Sequence, residues 1–143
     1  MAEISSLLAI DSATGPCSVA VWHGGMVASY VENLRPSQQS ASLVPMIEQA
    51  LAEAKLSYKQ LSAVACSIGP GSFTGIRVGL AAARGICFAT GIPGLGFTTM
   101  EILAYGAHDK MSNAPILALL NAGKGECYYQ TFTHSTNLRA TSE

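Results

Sequence analysis

Two stretches of this chain carry residue types that could do chemistry: Asp11-Ser12-Ala13-Thr14-Gly15 and Gly69-Pro70-Gly71-Ser72-Phe73-Thr74-Gly75. Each follows an apolar run, residues 7–10 and 61–68, that reads as a buried strand. A carboxylate at a strand's end can hold a metal-bound water, and a glycine loop opening onto a helix aims bare backbone N–H groups at phosphates. If the two strands are neighbours, Asp11, Ser12, Gly69 and Gly71 share the carboxyl edge of the sheet, where open α/β sheets bind ligands. A second use of the same residues is equally open. Asp11 can bond the amides of its own turn, and the glycines can serve tight turning and close helix–sheet contact. The loop is not a Walker A sequence, since no Gly-Lys-Ser/Thr follows it. It also misses G-x-G-x-x-G, with Thr74 at the third glycine position and Gly75 one place late.

Other catalytic groups are scarce. His23, His108 and His134 fall in expected loops or the tail, with no H-x-x-x-H or H-E-x-x-H pair. Ser72 follows Gly71, but there is no G-x-S-x-G elbow and no histidine placed to activate it, so nucleophilic hydrolysis is a poor reading. Glu101, three residues after Thr98, reads as a helix cap, and Glu126 starts a hairpin strand. Cys17, Cys66, Cys87 and Cys127 form no C-x-x-C pair and read as buried free thiols of a reducing compartment.

The elements that would hold these groups follow from hydrophobic period and turn residues. Residues 7–10, 17–22 and 26–34 read as a three-stranded antiparallel meander turned at His23-Gly24-Gly25 and closed by Pro36. Leu43, Ile47, Ala50, Leu51 and Ala54 mark one face of a helix, with Pro45 expected in its first turn or at a kink. A strand over 63–68, a helix over 73–90, a short strand over 94–97 and a helix from Thr98 to about Ala107 come next. Residues 115–120 and 126–133 read as a hairpin around Asn121-Ala122-Gly123-Lys124-Gly125, and the last ten residues are expected to fray. A meander followed by right-handed β-α-β crossovers predicts an α/β fold with a mixed sheet and helices on its faces.

The helix over 73–90 is unusual. Its charges are Arg77 and Arg84, seven apart and so on one face, while Gly75, Gly79 and Ala83 form a smooth ridge at four-residue spacing. Packing within the domain and close approach of another chain both account for that ridge. With 49% hydrophobic and 12% charged residues, the chain can fill a core and still have apolar surface for a partner. The net charge of −1 offers no basic patch for direct nucleic-acid binding. The N-terminus shows no basic and apolar leader, and the run over 75–97 is broken by Arg77, Arg84 and Pro93, so a soluble cytoplasmic protein is expected, with no membrane contact.

Four strings together carry a resemblance: Leu8-Ala9-Ile10-Asp11-Ser12-Ala13-Thr14, Cys17-Ser18-Val19-Ala20, Leu43-Val44-Pro45-Met46-Ile47 and Gly69 to Gly79, read as GPGSFTG-x-R-x-G. From about residue 7 to residue 129 the chain closely resembles the TsaB (YeaZ) family, a non-catalytic relative of TsaD. The resemblance implies an actin/Hsp70/sugar-kinase-like fold, with a ribonuclease-H-like lobe over 1–107 and the start of an incomplete second lobe over 108–143. It implies a non-catalytic dimerisation or scaffold subunit in the synthesis of threonylcarbamoyladenosine in tRNA. The expected partners are a TsaD-like catalytic subunit and a TsaE-like ATPase, with a homodimer when alone and tRNA met only indirectly. ATP and metal are expected at the partner subunit rather than here, and Asp11, Ser12, Gly69 and Gly71 become a vestigial cofactor site. The H-x-E-x-H ligand pattern of TsaD-like proteins falls on Thr99-Met100-Glu101-Ile102-Leu103, where a threonine and a leucine replace both imidazoles. No catalytic or metal-ligating residue is therefore expected.

The same resemblance implies an interface on two helices, with Val44, Ile47 and Leu51 on one and Gly75, Ile76, Gly79, Leu80 and Ala83 on the other. Three departures stand out: Gln39 in place of a histidine, Asn121 in place of an aspartate before Glu126-Cys127-Tyr128, and a chain that stops early in the second lobe. The rival reading is an independent ATP-binding or phosphoryl-transfer enzyme using Asp11 and the loop from Gly69 to Gly75.

Overall fold

The computed structural model describes residues 4–35, 39–108, 114–133 and 139–140. Strands β1 (Ser6–Asp11), β2 (Cys17–His23) and β3 (Met26–Asn33) form the antiparallel meander. Helix α1 (Gln39–Glu53) leads to β4 (Ala63–Ser67), which pairs parallel to β1, and helix α2 (Phe73–Thr90) leads to β5 (Gly94–Phe97), parallel to β4. The resulting five-stranded sheet has the order β3-β2-β1-β4-β5. Helix α3 (Thr99–His108) then leads to a second sheet of β6 (Ile116–Gly123), β7 (Glu126–Thr133) and β8 (Arg139–Ala140).

The period-two pattern decides which face of the large sheet is dry. Leu8 and Ile10 of β1 and Cys17, Val19 and Val21 of β2 point to one face, where they meet Leu43, Ile47 and Leu51 of α1 and Ala83 of α2 in a single core. The opposite face carries Leu7, Ala9, Ala20 and Ala65, partly roofed by Ile102 and Tyr105 of α3 across an apolar cleft of about 530 Å³. The remaining face of α3 has its own core, where Met100 and Ala104 pack on Ile116, Ala118 and Phe132.

Several expectations shift. Helix α1 begins at Gln39, so Pro45 lies in its interior, where it has no N–H to donate to the Ala41 carbonyl. The division expected at residue 107 falls at the end of α3, a helix that meets both sheets: Ile102 and Tyr105 face the large one, while Met100 and Ala104 pack on β6 and β7. Part of the tail pairs instead of fraying, with Phe132 opposite Ala140 and Thr133 opposite Arg139. Cys17 and Cys66 are buried, but Cys87 is half-buried and Cys127 is exposed on the hairpin. Pro36 and His134 lie outside the described residues.

The interface expectation needs the largest correction. Gly75, Gly79 and Ala83 are buried against the chain's own sheet, and Ile47 and Leu51 belong to the same core. A β-carbon added at Gly79 would meet the Ser12 hydroxyl and the Cys66 sulfur. The smooth ridge is therefore the surface that lets α2 settle on β1 and β4. Of the eight residues, Val44 is exposed, and Ile76 and Leu80 are half-buried.

Candidate functional site

Parallel pairing of β1 with β4 brings the Asp11 turn and the Gly69-Pro70-Gly71 loop to one edge of the sheet. The two loops then lock onto each other. The Ser72 N–H donates to the Ala13 carbonyl at 2.6 Å, and a β-carbon at Gly71 would strike that same carbonyl. Gly69 takes a φ of +98°, and a side chain there would press on Ile76. Its carbonyl accepts from the Thr99 N–H at 2.9 Å, while the Thr99 hydroxyl donates to the Pro70 carbonyl at 2.6 Å. The loop is thus fastened on one side to the Asp11 turn and on the other to the start of α3.

The side chains of Asp11, Ser12 and Ser72 are engaged within the chain. Asp11 Oδ1 accepts from the Ala13 N–H at 3.1 Å, closing an Asx-turn. The fully buried Ser12 hydroxyl donates to the Gly75 carbonyl at 2.8 Å. Ser72 is the N-cap of α2, its hydroxyl accepting from the Gly75 N–H at 3.2 Å. Glu101 Oε2 accepts from both the N–H and the hydroxyl of Thr98, completing the cap at the head of α3. Burial, reinforced by the nearby Asp11 charge, pushes the Cys66 thiol up to about 11 and also raises Cys17, so both are poor nucleophiles near neutrality.

Beyond the loops lies a cleft of about 440 Å³ between Ala13, Thr14, Gly15, Gly71 and Ser72 on one wall and Leu120, Asn121, Ala122, Gly123 and Tyr128 on the other. None of these lining residues is charged, so the cleft offers a polyphosphate no cationic partner. Asn121 uses its side-chain oxygen to accept from the Gly123 N–H at 2.8 Å in its own turn. At the place of the H-x-E-x-H pattern, Thr99 is buried and bonded, Glu101 is a cap, and Leu103 is exposed. Among the described residues no three His, Cys, Asp or Glu side chains gather as a metal set.

The outward face of α2 is a different kind of surface. Phe73 is 69% exposed, and the Arg77 guanidinium stacks on its ring at 3.8 Å. Phe88 is 94% exposed, and Val44 of the neighbouring α1 is 54% exposed. Sequence reasoning places Arg77 and Arg84 on one face without naming the phenylalanines. Phe88 sits eleven residues after Arg77, three helical turns on, and a helical projection anchored on the arginines would have found it.

Residues 33–142 match the family described as TsaD: tRNA N6-adenosine threonylcarbamoyltransferase. The tRNA threonylcarbamoyladenosine biosynthesis protein TsaB of Escherichia coli (strain K12) is 36% identical over 131 residues, covering 92% of this chain and 56% of that protein. The chain belongs to the TsaD family, in its TsaB (YeaZ) branch. The TsaB protein of Buchnera aphidicola subsp. Schizaphis graminum is also 36% identical, over 96% of this chain and 65% of its own length. The solved structure of YeaZ from Pseudomonas aeruginosa superposes with a TM-score of 0.89 at 30% identity, over 98% of this chain and 66% of that one. The chain spans between 56% and 66% of the length of these relatives. Its five-stranded mixed sheet with helices is of the actin/Hsp70/sugar-kinase type, a ribonuclease-H-like lobe, and β6 and β7 form part of a second sheet.

Proposed function

We propose that this chain is a non-catalytic scaffold subunit in the synthesis of threonylcarbamoyladenosine in tRNA, docking on a TsaD-like catalytic subunit in the cytoplasm. The observation that carries the reading is the outward face of α2, where Phe73, Arg77 and Phe88 stand exposed on a helix packed beside α1, whose Val44 is exposed too. Exposed aromatics and arginine are the residue types that anchor protein interfaces. The loop where an actin-like enzyme would bind nucleotide is instead bonded to its own neighbours, which supports a vestigial role for Asp11, Ser12, Gly69 and Gly71.

In this reading ATP and metal act at the partner, a TsaE-like ATPase joins the pair, and tRNA is met through the other subunits. The same outward face would close a homodimer when the partner is absent. An independent ATP-binding enzyme is the weaker reading, because the uncharged cleft holds no group to neutralise a triphosphate.

Size-exclusion chromatography with light scattering, on this chain mixed with the TsaD-like protein of the same organism, tests the docking. The wild type should co-elute as a complex. Phe88→Asp should weaken binding about 30-fold or more, the loss expected when an interface anchor is removed, with circular dichroism unchanged because the side chain supports no core. A Phe88→Asp variant that binds like the wild type would contradict this placement of the interface.

A further inference from the structure

A second surface lies at the free edge of the large sheet. β5 is the last strand in the order, and among the described residues no strand pairs with its outer side. The Pro93 carbonyl accepts from the Val64 N–H and the Phe97 carbonyl accepts from the Ile68 N–H, both toward β4. Backbone direction alternates along a strand, so the N–H and C=O groups of Gly94 and Gly96 point outward.

The same glycines open a cavity between β5 and α2. A β-carbon at Gly94 would come within 3.2 Å of Cys87 Sγ, and one at Gly96 within 2.9 Å of Ile68 Cγ2. The missing side chains leave an apolar recess of about 350 Å³, lined by Ile68, Leu80, Ala83, Cys87 and Leu95. Arg84 is the one charged residue in its lining. Among the described residues no carboxylate is seen paired with it. An outward ladder and an apolar recess beside it are the two parts of strand-addition recognition, where backbone pairing gives affinity and a side-chain recess gives specificity; Arg84 adds a cation at the rim.

We propose that the outer edge of β5 accepts an extended segment of a partner protein as a sixth strand. One aliphatic side chain of that segment fills the recess, and a carboxylate two residues away on the same face meets Arg84. The charge decides against a second copy as occupant: β5 carries no acidic side chain, so self-pairing would bring two arginines together and satisfy neither. Arg84 lies one turn before Phe88 on α2, so the readout that separates this proposal from docking at the outward helices is protection of the Gly94 and Gly96 amides of β5.

The probe is the fluorescein-labelled peptide acetyl-Thr-Thr-Val-Thr-Asp-Thr-Thr-amide, with a twin carrying Lys for Asp, followed by fluorescence anisotropy. The Asp peptide should bind with a Kd of about 0.1–1 mM. Arg84→Glu, an exposed change that leaves the core intact, should weaken it about tenfold and strengthen the Lys twin. At saturation, amide hydrogen exchange at Gly94 and Gly96 should slow at least about tenfold. Equal binding of both peptides to wild type and variant, or no saturable binding to about 5 mM, overturns the proposal. Protection of Gly94 and Gly96 by self-association without peptide, seen by light scattering, overturns it in favour of a second copy.

Discussion

At the residue scale, small side chains set the shape of the site. Gly79 sits on the inner face of α2 directly over Ser12, whose hydroxyl is already bonded to the Gly75 carbonyl. A methyl group at that position has to displace a buried hydroxyl and crowd Cys66. Gly79→Ala is therefore expected to lower stability by about 1–3 kcal/mol, the usual cost of overfilling a packed core, despite the better helix propensity of alanine. Urea unfolding followed by circular dichroism checks this, and an unchanged or higher midpoint would show that α2 moves away from β1 freely. The four-residue spacing of Gly75, Gly79 and Ala83 was legible from the sequence, but its direction was not. A smooth helix face is equally suited to a neighbouring sheet and to another chain, and only the burial of all three residues decides between them. Asp11 posed the same problem, because a carboxylate at the end of a strand looks alike whether it closes its own turn or waits for a ligand.

At the scale of elements, period and punctuation carried the fold. The α2 boundaries at Phe73 and Thr90 follow from Ser72 as cap and Gly91 in the left-handed region, and both residues are of the types those positions favour. β5 was legible as a short strand after Pro93, and the Thr98–Glu101 pair marked the start of α3. Helix α1 was harder, because Pro45 argued for a later start than Gln39. Tertiary packing outweighs that local preference: Leu43, Met46, Ile47, Ala50 and Leu51 bury one continuous face. Pro45 sits on the outer side and leaves the Ala41 carbonyl without its helical donor. Pro45→Ala should then raise stability by about 1–3 kcal/mol, read as a higher Tm in thermal unfolding. An equal or lower Tm would mean the proline ring makes a compensating contact. The membership of α3 could not be read from its sequence, since both its faces are apolar and each meets a different sheet.

For the whole molecule, low charge and high apolar content anticipated unfilled surface, and the structure shows where it is. No helix among the described residues is long and apolar enough to cross a membrane. Phe73 and Phe88 mark one outward face, the rim of β5 another, and the half-roofed side of the sheet a third. Which of these meets a partner lies beyond any pattern in a single sequence, because hydrophobic period reports only that a face avoids water. The central claim is that the chain acts through its outward helices and not through chemistry at Asp11. The most direct test is threonylcarbamoyl transfer to tRNA from an added activated threonylcarbamoyl donor by the purified TsaD-like and TsaE-like proteins with ATP, with and without this chain. The account predicts no transfer by this chain alone, and transfer that depends on adding it, is retained by Asp11→Asn and falls at least about 30-fold with Phe88→Asp at limiting concentration. Transfer lost with Asp11→Asn while Phe88→Asp works normally would contradict it.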